Sequence, residues 1–580
     1  MHRRAFSRVT PVRAKIFFGI CVAIAVYLVW RLYDVQVLHG PLFAREALNQ
    51  RTRLVTIAGH RGSILDRDGN TFVRSLPSES IYVDPQQVTD MPRVVAKLGA
   101  VVGALGAQTI GLLHDPQAQF VYIARKVPYD VAQRVDALDL PGVFLQHEVT
   151  GRRVDVVGTL ASTVIGFVGI DEDGLAGVEY SYDDVLRGAF GKLLVQEDDL
   201  GRPIPLARED IVKPAVDGLS VELTLDSYLE FAAQRALQEQ MSRFHAADGT
   251  AIVMDPQSGE VLAMVNLPDF DPNSWESAPE RDERDRAIQD AYEPGSTYKL
   301  VTAAAALVSG RVTVGMRFPA RSEIEVGGWR IHNADDAMPL VGTSETLEQI
   351  VAYSHNVGAA EVGMRTGARA FYEMERRAGF GAPTEIGLAG ENPGIVPPPS
   401  EWSVPSLATM SFGQGVAVTP IQLARYYCAI ANGGLLMKPL LVRAYLDSSG
   451  RVVEAFHPQV VRRLFSPKVA ATLRSFLRAV VVRGTGNPTA QLSGYETAGK
   501  TGTAQIVENG AYEPGAYSAS FIGMIPYDHP RYVIYVKLDR PVGSYYGSQV
   551  AAPAFAQIAR SAMLLDGVLP HGASVARSPY

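Results

Sequence analysis

The spacing of hydrophobic and polar positions changes character three times along the chain. Residues Ile16 to Trp30 form an unbroken apolar run between Lys15 and Arg31, about 22 Å long as a helix at 1.5 Å per residue. Adding Arg31, Leu32 and Tyr33 brings the length to roughly 27 Å, close to a bilayer core, with Arg31 reaching outward beside the interfacial aromatics Trp30 and Tyr33. The pattern predicts one transmembrane helix over 16–33. From Asp34 to Pro214 short strand-like runs alternate with turns rich in glycine and arginine, which predicts an elongated, mostly β region. Near Lys213 the pattern changes again. Leu219 to Leu225 alternates as a strand, and Ser227 to Met241 repeats its apolar residues at helical spacing. Thr250 to Met254 and Val261 to Val265 flank a turn-rich linker and predict a hairpin; Thr503 to Val507, Ser518 to Ile525 and Arg531 to Leu538 predict further strands. The long stretch between these clusters is mainly helical by periodicity. One antiparallel sheet split by a helical insertion accounts for both clusters, and the fold class is α+β.

Charge adds a compartment. Residues 1–33 carry six basic groups and no acidic one; set against the net charge of −7, they leave −13 on the remainder. Arg3, Arg4, Arg8, Arg13 and Lys15 all precede the apolar run, so the positive-inside rule puts the N-terminus in the cytoplasm and everything after Tyr33 outside. A cleaved signal peptide is the alternative, but Trp30-Arg31-Leu32-Tyr33 stands where small residues would mark a cleavage site. The acidic remainder argues against nucleic acid as a partner. Cys21 and Cys428 are the only cysteines, so no structural disulfide is expected. The expected division is a cytoplasmic tail at 1–15, the anchor at 16–33, a pedestal at 34–214, a second exported domain at 215–565 and a fraying tail at 566–580.

Three short strings carry the chemistry: Ser296-Thr297-Tyr298-Lys299, Ser354-His355-Asn356 and Lys500-Thr501-Gly502. Each is weak alone, but only ten lysines occur in the 580 residues, and two of them fall in these strings. Pro294-Gly295-Ser296 precedes the alanine-rich Thr297 to Leu307, which predicts a helix ended by Gly310 with Ser296 at its entrance. Three residues along a helix is one face, so the Lys299 amine reaches the Ser296 hydroxyl. The alternative is an N-cap serine with a solvated lysine. For Lys299 to act as a base near neutrality its pKa must fall from about 10.4 to near 7, roughly 4 kcal/mol. A second cation assists burial in this, and Lys500 is the candidate. Ser354 is placed to relay a proton and Asn356 to hold an amide; the bland alternative is that both cap a helix turn. Lys500, Thr501 and Gly502 open a β-like run whose edge suits an extended peptide ending in a carboxylate, with Gly502 permitting close approach. The Thr503 and Ser296 amides would complete an oxyanion hole.

Other strings are decoys. Gly494 through Thr501 matches the phosphate-loop pattern, but a polar segment precedes it and a β-prone run follows, the reverse of what a phosphate loop needs. Glu513-Pro514-Gly515 echoes Glu293-Pro294-Gly295 without a nucleophile. His355 is expected to pack or hydrogen-bond rather than ligate. No metal or other cofactor is implied. Arg61 to Gly69 and Gly174 to Tyr180 are expected to be structural turns.

The three strings together match a trio found in class A β-lactamases and penicillin-binding proteins. With the Arg61 to Gly69 and Gly174 to Glu179 strings and the single anchor, the chain resembles class B penicillin-binding proteins over almost its whole length. Tyr82-Val83-Asp84-Pro85, Phe412-Gly413-Gln414-Gly415 and Thr419-Pro420 look more like the division branch, penicillin-binding protein 3. The resemblance implies a penicillin-binding, serine β-lactamase-like transpeptidase domain at 215–565 on the pedestal. It implies that Ser296 is acylated by the penultimate D-alanine of a peptidoglycan stem peptide ending in D-Ala-D-Ala, that terminal D-alanine leaves, and that a neighbouring amine resolves the ester into a cross-link. By the same likeness Lys299 is the base, Ser354 and Asn356 assist it, Lys500, Thr501, Gly502 and Thr503 bind substrate, and β-lactams are trapped as slow acyl-enzymes. It also implies partnership with a membrane-embedded glycosyltransferase of the shape, elongation, division and sporulation family and with other division proteins. His355 departs from the family, where many relatives carry a second serine. An elongation-type transpeptidase, a D,D-carboxypeptidase or β-lactamase-like hydrolase, and an inactive division scaffold remain as alternatives. No E-x-x-L-N string between Ser354 and Lys500 favours the lactamase.

Overall fold

The computed structural model describes residues 11–196, 210–568 and 570. Arg3, Arg4 and Arg8, and the tail from Asp566 apart from 566–568 and 570, lie outside those residues. The chain divides into two compact units, 1–59 with 189–216, and 60–188 with 217–580.

In the first unit the apolar run forms a helix over Pro11–Tyr33 with no buried residue. It continues through a π-helical turn, Asp34–Leu38, and the stretch from Pro11 to Leu38 is long and apolar enough to cross a membrane. Arg31 pairs with Asp34 one turn on. A second helix, Gly40–Arg51, leads into an antiparallel sheet ordered Thr52–Ile57, Gly191–Gln196, Asp210–Lys213.

The second unit is organised by a five-stranded antiparallel sheet, ordered Val261–Leu267, Asp248–Met254, Tyr532–Asp539, Ala511–Ile525, Ala498–Glu508. Both strand clusters expected from the sequence thus join one sheet. The strands read as apolar runs because both faces are covered, and alternate side chains enter different cores. Ala251 and Val253 pack with Leu237 of the Ser227–Phe244 helix and with Phe555 and Ile558 of the Ala552–Leu565 helix. Ile252 and Met254 face the helical insertion, with Leu423 and Tyr427 of Pro420–Ala431. Each core aliphatic removed from water contributes about 1.5–3 kcal/mol. The last strand lies at the sheet edge and begins at Ala498, five residues before the run read from sequence, so the third motif sits inside it. A strand over Gly499-Lys500, not a helix, disposes of the phosphate-loop match.

A six-stranded sheet joins segments far apart in sequence, in the order Val452–Ala455, Val442–Leu446, Ser220–Leu223, Ile64–Leu65, Thr71–Leu76, Arg152–Asp155. Beside it the two glycine-rich strings meet around one arginine. Arg61, 5 % exposed, donates from Nε and Nη2 to Glu179 Oε2 at 2.8 and 2.6 Å and from Nη1 to Asp183 Oδ1 at 2.6 Å; Arg153 Nε reaches Glu179 Oε1 at 2.6 Å. Asp66 accepts the Ser227 hydroxyl at 2.7 Å, tying the first string to the start of the Ser227–Phe244 helix. A third sheet, Glu79–Val83 between Val121–Val127 and Val143–His147, is accompanied by the helices Met91–Val102 and Tyr129–Asp136. Local periodicity in this region had pointed only to strands and turns.

Candidate active site

Ser296 lies in a 3-10 turn, Gly295–Tyr298, which passes directly into the helix Lys299–Val308. The sequence reading put it at an α-helix entrance. The tighter turn keeps residues three apart on one side, so the Lys299 amine still faces the hydroxyl. Alanines 303–306 favour the helix and Gly310, at φ +69°, follows its end. The turn is wedged between two backbones. A Cβ on Gly413 would lie 2.2 Å from the Gly295 carbonyl oxygen, and one on Gly502 would lie 2.4 Å from Ser520 Oγ and 3.0 Å from Thr297 Cγ2. Tyr427 donates to the Thr297 carbonyl at 2.8 Å, and Tyr298, fully buried, donates to Glu375 at 2.9 Å. The Ser296 backbone is therefore held from three sides.

The second motif joins two helices, Leu347–Tyr353 and Asn356–Thr366. Thr346 and Gln349 form a reciprocal cap at the start of the first helix. Ser354, at φ +64°, turns the chain so that both its carbonyl and its hydroxyl face Lys299. Lys299 Nζ contacts Ser296 Oγ, the Ser354 carbonyl and Asn356 Oδ1, each at 2.8 Å, and Ser354 Oγ at 3.2 Å. Ser354 Oγ donates to Ser296 Oγ at 2.9 Å and accepts from Lys500 Nζ at 3.0 Å. Lys500 also donates to the Thr501 carbonyl at 3.0 Å. All eight residues singled out from sequence converge here: Ser296, Lys299, Ser354, Asn356, Lys500, Thr501, Gly502 and Thr503.

Burial sets the electrostatics. Lys299 is 1 % exposed and Lys500 is not exposed at all. Desolvation, and secondly the charge of Lys500, hold the Lys299 amine well below its ordinary value. Desolvation brings Lys500 down to about 7. The cause assigned to Lys500 from sequence is present but ranks behind burial.

Several participants carried no sequence signal. Thr485 Oγ1 lies 2.7 Å from Thr501 Oγ1. Thr503 Oγ1 donates to Asp336 Oδ2 at 2.9 Å from across the cleft. Glu293 accepts the Gly415 amide at 2.7 Å and the Tyr512 hydroxyl at 2.9 Å, anchoring the chain before the serine turn. His355 is buried, contacts Glu345 through Nδ1 and reaches the Met338 carbonyl from Nε2 at 2.7 Å, a hydrogen-bonding role as expected. Residues this far apart in sequence show no common pattern until the fold joins them. The cleft above Ser296 measures about 640 Å³ and has Trp329, Tyr517 and Tyr545 in its walls.

A serine hydroxyl 2.8 Å from a buried, easily neutralised amine, at the edge of a sheet able to pair with a peptide, defines a serine acyl-transferring enzyme of the penicillin-recognising class. Comparison with known proteins agrees. Residues 249–560 match the penicillin binding protein transpeptidase domain, and residues 56–223 the penicillin-binding protein dimerisation domain. Stage V sporulation protein D of Bacillus subtilis is 34% identical over 574 residues, covering 97% of this chain and 87% of its own. Peptidoglycan D,D-transpeptidase FtsI of Escherichia coli is 32% identical, covering 93% and 89%. The crystal structure of penicillin binding protein 3 from Mycobacterium tuberculosis complexed with aztreonam superimposes with a TM-score of 0.67 at 29% identity, over 90% of this chain and 98% of that one. The chain belongs to the class B penicillin-binding proteins, in their division-type D,D-transpeptidase branch.

Proposed function

We propose that this chain cross-links septal peptidoglycan with Ser296 as nucleophile and Lys299 as base, and that β-lactams inactivate it at the same serine. The observation that carries this reading is the set of contacts at Lys299 Nζ. A neutral amine has two N–H groups and one lone pair. The Ser354 carbonyl and Asn356 Oδ1, each at 2.8 Å, take the two N–H groups, and the Ser296 hydroxyl at 2.8 Å donates to the lone pair. The uncharged base is thus fully satisfied and aligned with the proton it removes.

Ser296 Oγ then bonds to the carbonyl carbon of the penultimate D-alanine of the stem peptide. The amide bond to the terminal D-alanine breaks, and its nitrogen leaves with a proton returned along Ser354, which bridges Ser296 and Lys500. Lys500, Thr501 and Thr503 receive the terminal carboxylate, and the Ser296 and Thr503 amides hold the oxyanion. An amine of a second stem peptide attacks the ester, restores the Ser296 hydroxyl and completes the cross-link. A β-lactam follows the first half of this path, but its leaving group stays tethered.

The organisation that goes with this chemistry is a cytoplasmic segment at 1–15, an anchor at 16–33, a pedestal at 34–214, a transpeptidase domain at 215–565 outside the membrane and a tail at 566–580. The basic residues before the apolar run support that orientation. A membrane-embedded glycosyltransferase of the shape, elongation, division and sporulation family supplies the glycan strands. The test is reconstitution: the full chain, with a glycan polymerase and its lipid-linked precursor, should yield cross-linked muropeptide dimers and free D-alanine. D-alanine release without dimers would mark a carboxypeptidase, and neither product would mark a scaffold.

A further inference from the structure

The carboxylate-binding edge of the cleft is not vacant. Asp336 lies in the loop between the strand Trp329–His332 and the strand Ser344–Thr346. This loop is pinned on both sides of Asp336 to the second-motif segment. Before it, Asn333 Oδ1 accepts the Val357 amide at 3.1 Å and the His332 carbonyl accepts Asn356 Nδ2 at 3.2 Å. After it, the Met338 amide donates to the Tyr353 carbonyl at 3.0 Å, and the Met338 carbonyl accepts from His355 Nε2 at 2.7 Å. So held, the half-buried Asp336 carboxylate reaches across the cleft and accepts the Thr503 hydroxyl at 2.9 Å.

We propose that Asp336 is a specificity-determining residue: its carboxylate occupies the subsite that receives the carboxylate of a donor peptide or β-lactam, and an incoming carboxylate must displace it to bind there. The inference rests on the reading that Lys500, Thr501 and Thr503 bind that carboxylate. The chemistry matches, because Asp336 presents the same functional group to the same hydroxyl. Its charge also favours the protonated forms of both Lys299 and Lys500, as a bound carboxylate would. The pinning makes the displacement selective. A ligand whose carboxylate also engages Lys500 outcompetes a carboxylate that holds only Thr503, whereas a neutral analogue has nothing to offer in exchange. His355 thereby acquires a role, since its bond to Met338 sets the position of the loop that carries Asp336.

The test uses the detergent-solubilised full chain, as wild type, Asp336→Ala and Asp336→Asn. Second-order acylation rate constants are measured for benzylpenicillin and for its neutral methyl ester, in competition with a fluorescent penicillin. The expected result is an increase of about tenfold for benzylpenicillin with Asp336→Ala, the worth of one charge-assisted hydrogen bond. The ester should change little, and Asp336→Asn, which keeps an acceptor but loses the charge, should fall between. An equal gain for both ligands would mean that Asp336 acts only through lysine basicity, and would overturn the proposal. So would a slower or unchanged reaction with benzylpenicillin, including the case in which only cross-linking falls because Asp336 binds the acceptor amine. Wild type that reacts with benzylpenicillin no faster than with its methyl ester would instead remove the underlying reading that Lys500, Thr501 and Thr503 bind the carboxylate, which keeps the two failures apart.

Discussion

Replacing Lys500 by methionine should make the protein more stable and inactive. Lys500 is fully buried on the edge strand and titrates at about 7 in the fold against an ordinary value of 10.5. Keeping such a group costs the fold on the order of 5 kcal/mol. The sign follows from the direction of the displacement. Below pH 7 the lysine is charged in both states and the fold bears the whole cost. Between pH 7 and 10.5 only the unfolded chain keeps the proton, so the cost fades and stability rises with pH. Methionine has similar length and no charge to desolvate, but it gives up the hydrogen bonds to Ser354 Oγ and the Thr501 carbonyl, about 1 kcal/mol each. The net gain is about 2–3 kcal/mol near neutrality, a rise of about 3 °C in melting temperature for a domain of this size. Thermal denaturation of wild type and Lys500→Met at pH 6, 8 and 10 measures it: the difference should be largest at pH 6 and small at pH 10. Acylation by a fluorescent penicillin should be lost at every pH. A variant that melts below wild type at pH 6, or that still acylates, would refute the reasoning, because the lysine would then be a stabilising group rather than a functional one held at a cost.

Three further outcomes are expected. The second-order rate of acylation by benzylpenicillin should be bell-shaped in pH. It rises as Lys299 loses its proton and falls about tenfold between pH 6 and 8 as Lys500 loses the one it needs at about 7; a rate that climbs steadily to pH 9 would contradict the assignments. Gly413→Ala, whose Cβ would meet the Gly295 carbonyl at 2.2 Å, should displace the serine turn and slow acylation about 100-fold while circular dichroism stays native. Arg61→Ala leaves Glu179, 1 % exposed, to Arg153 alone and Asp183 to Arg187 and should destabilise the second unit by about 2–3 kcal/mol, read by chemical denaturation.

The site was more legible than the scaffold that carries it. Ser296 and Lys299 are three residues apart, so local geometry alone predicts their contact. Ser354 and Lys500 could be joined to them only by their order and by the trio they complete. Asp336, Glu345, Thr485 and Glu293 reach the site singly, through contacts whose partners lie between 10 and 219 residues away, and a lone acidic residue in a loop has no distinguishing spacing. Strands of the central sheet were readable because both faces are buried and their apolar runs are long. Ser220–Leu223 was readable within the alternating run from Leu219 to Leu225, whereas its parallel partner in the six-stranded sheet, Ile64–Leu65, is too short for a period to register. The strand bearing Lys500 was read as starting late because Gly499, Lys500 and Gly502 are poor strand formers by propensity; tertiary packing overrides this, since glycine lets the edge strand approach the serine turn.

Covalent chemistry at one oxygen is the centre of the account, and peptide mapping by mass spectrometry tests it most directly. After brief exposure of the full chain to benzylpenicillin, the digest should carry a single penicilloyl adduct, on the peptide containing Ser296. No adduct should form in Ser296→Ala, and its formation should be strongly slowed in Lys299→Ala. An adduct on Ser354 or on any other peptide, or undiminished labelling without the Lys299 amine, would contradict it.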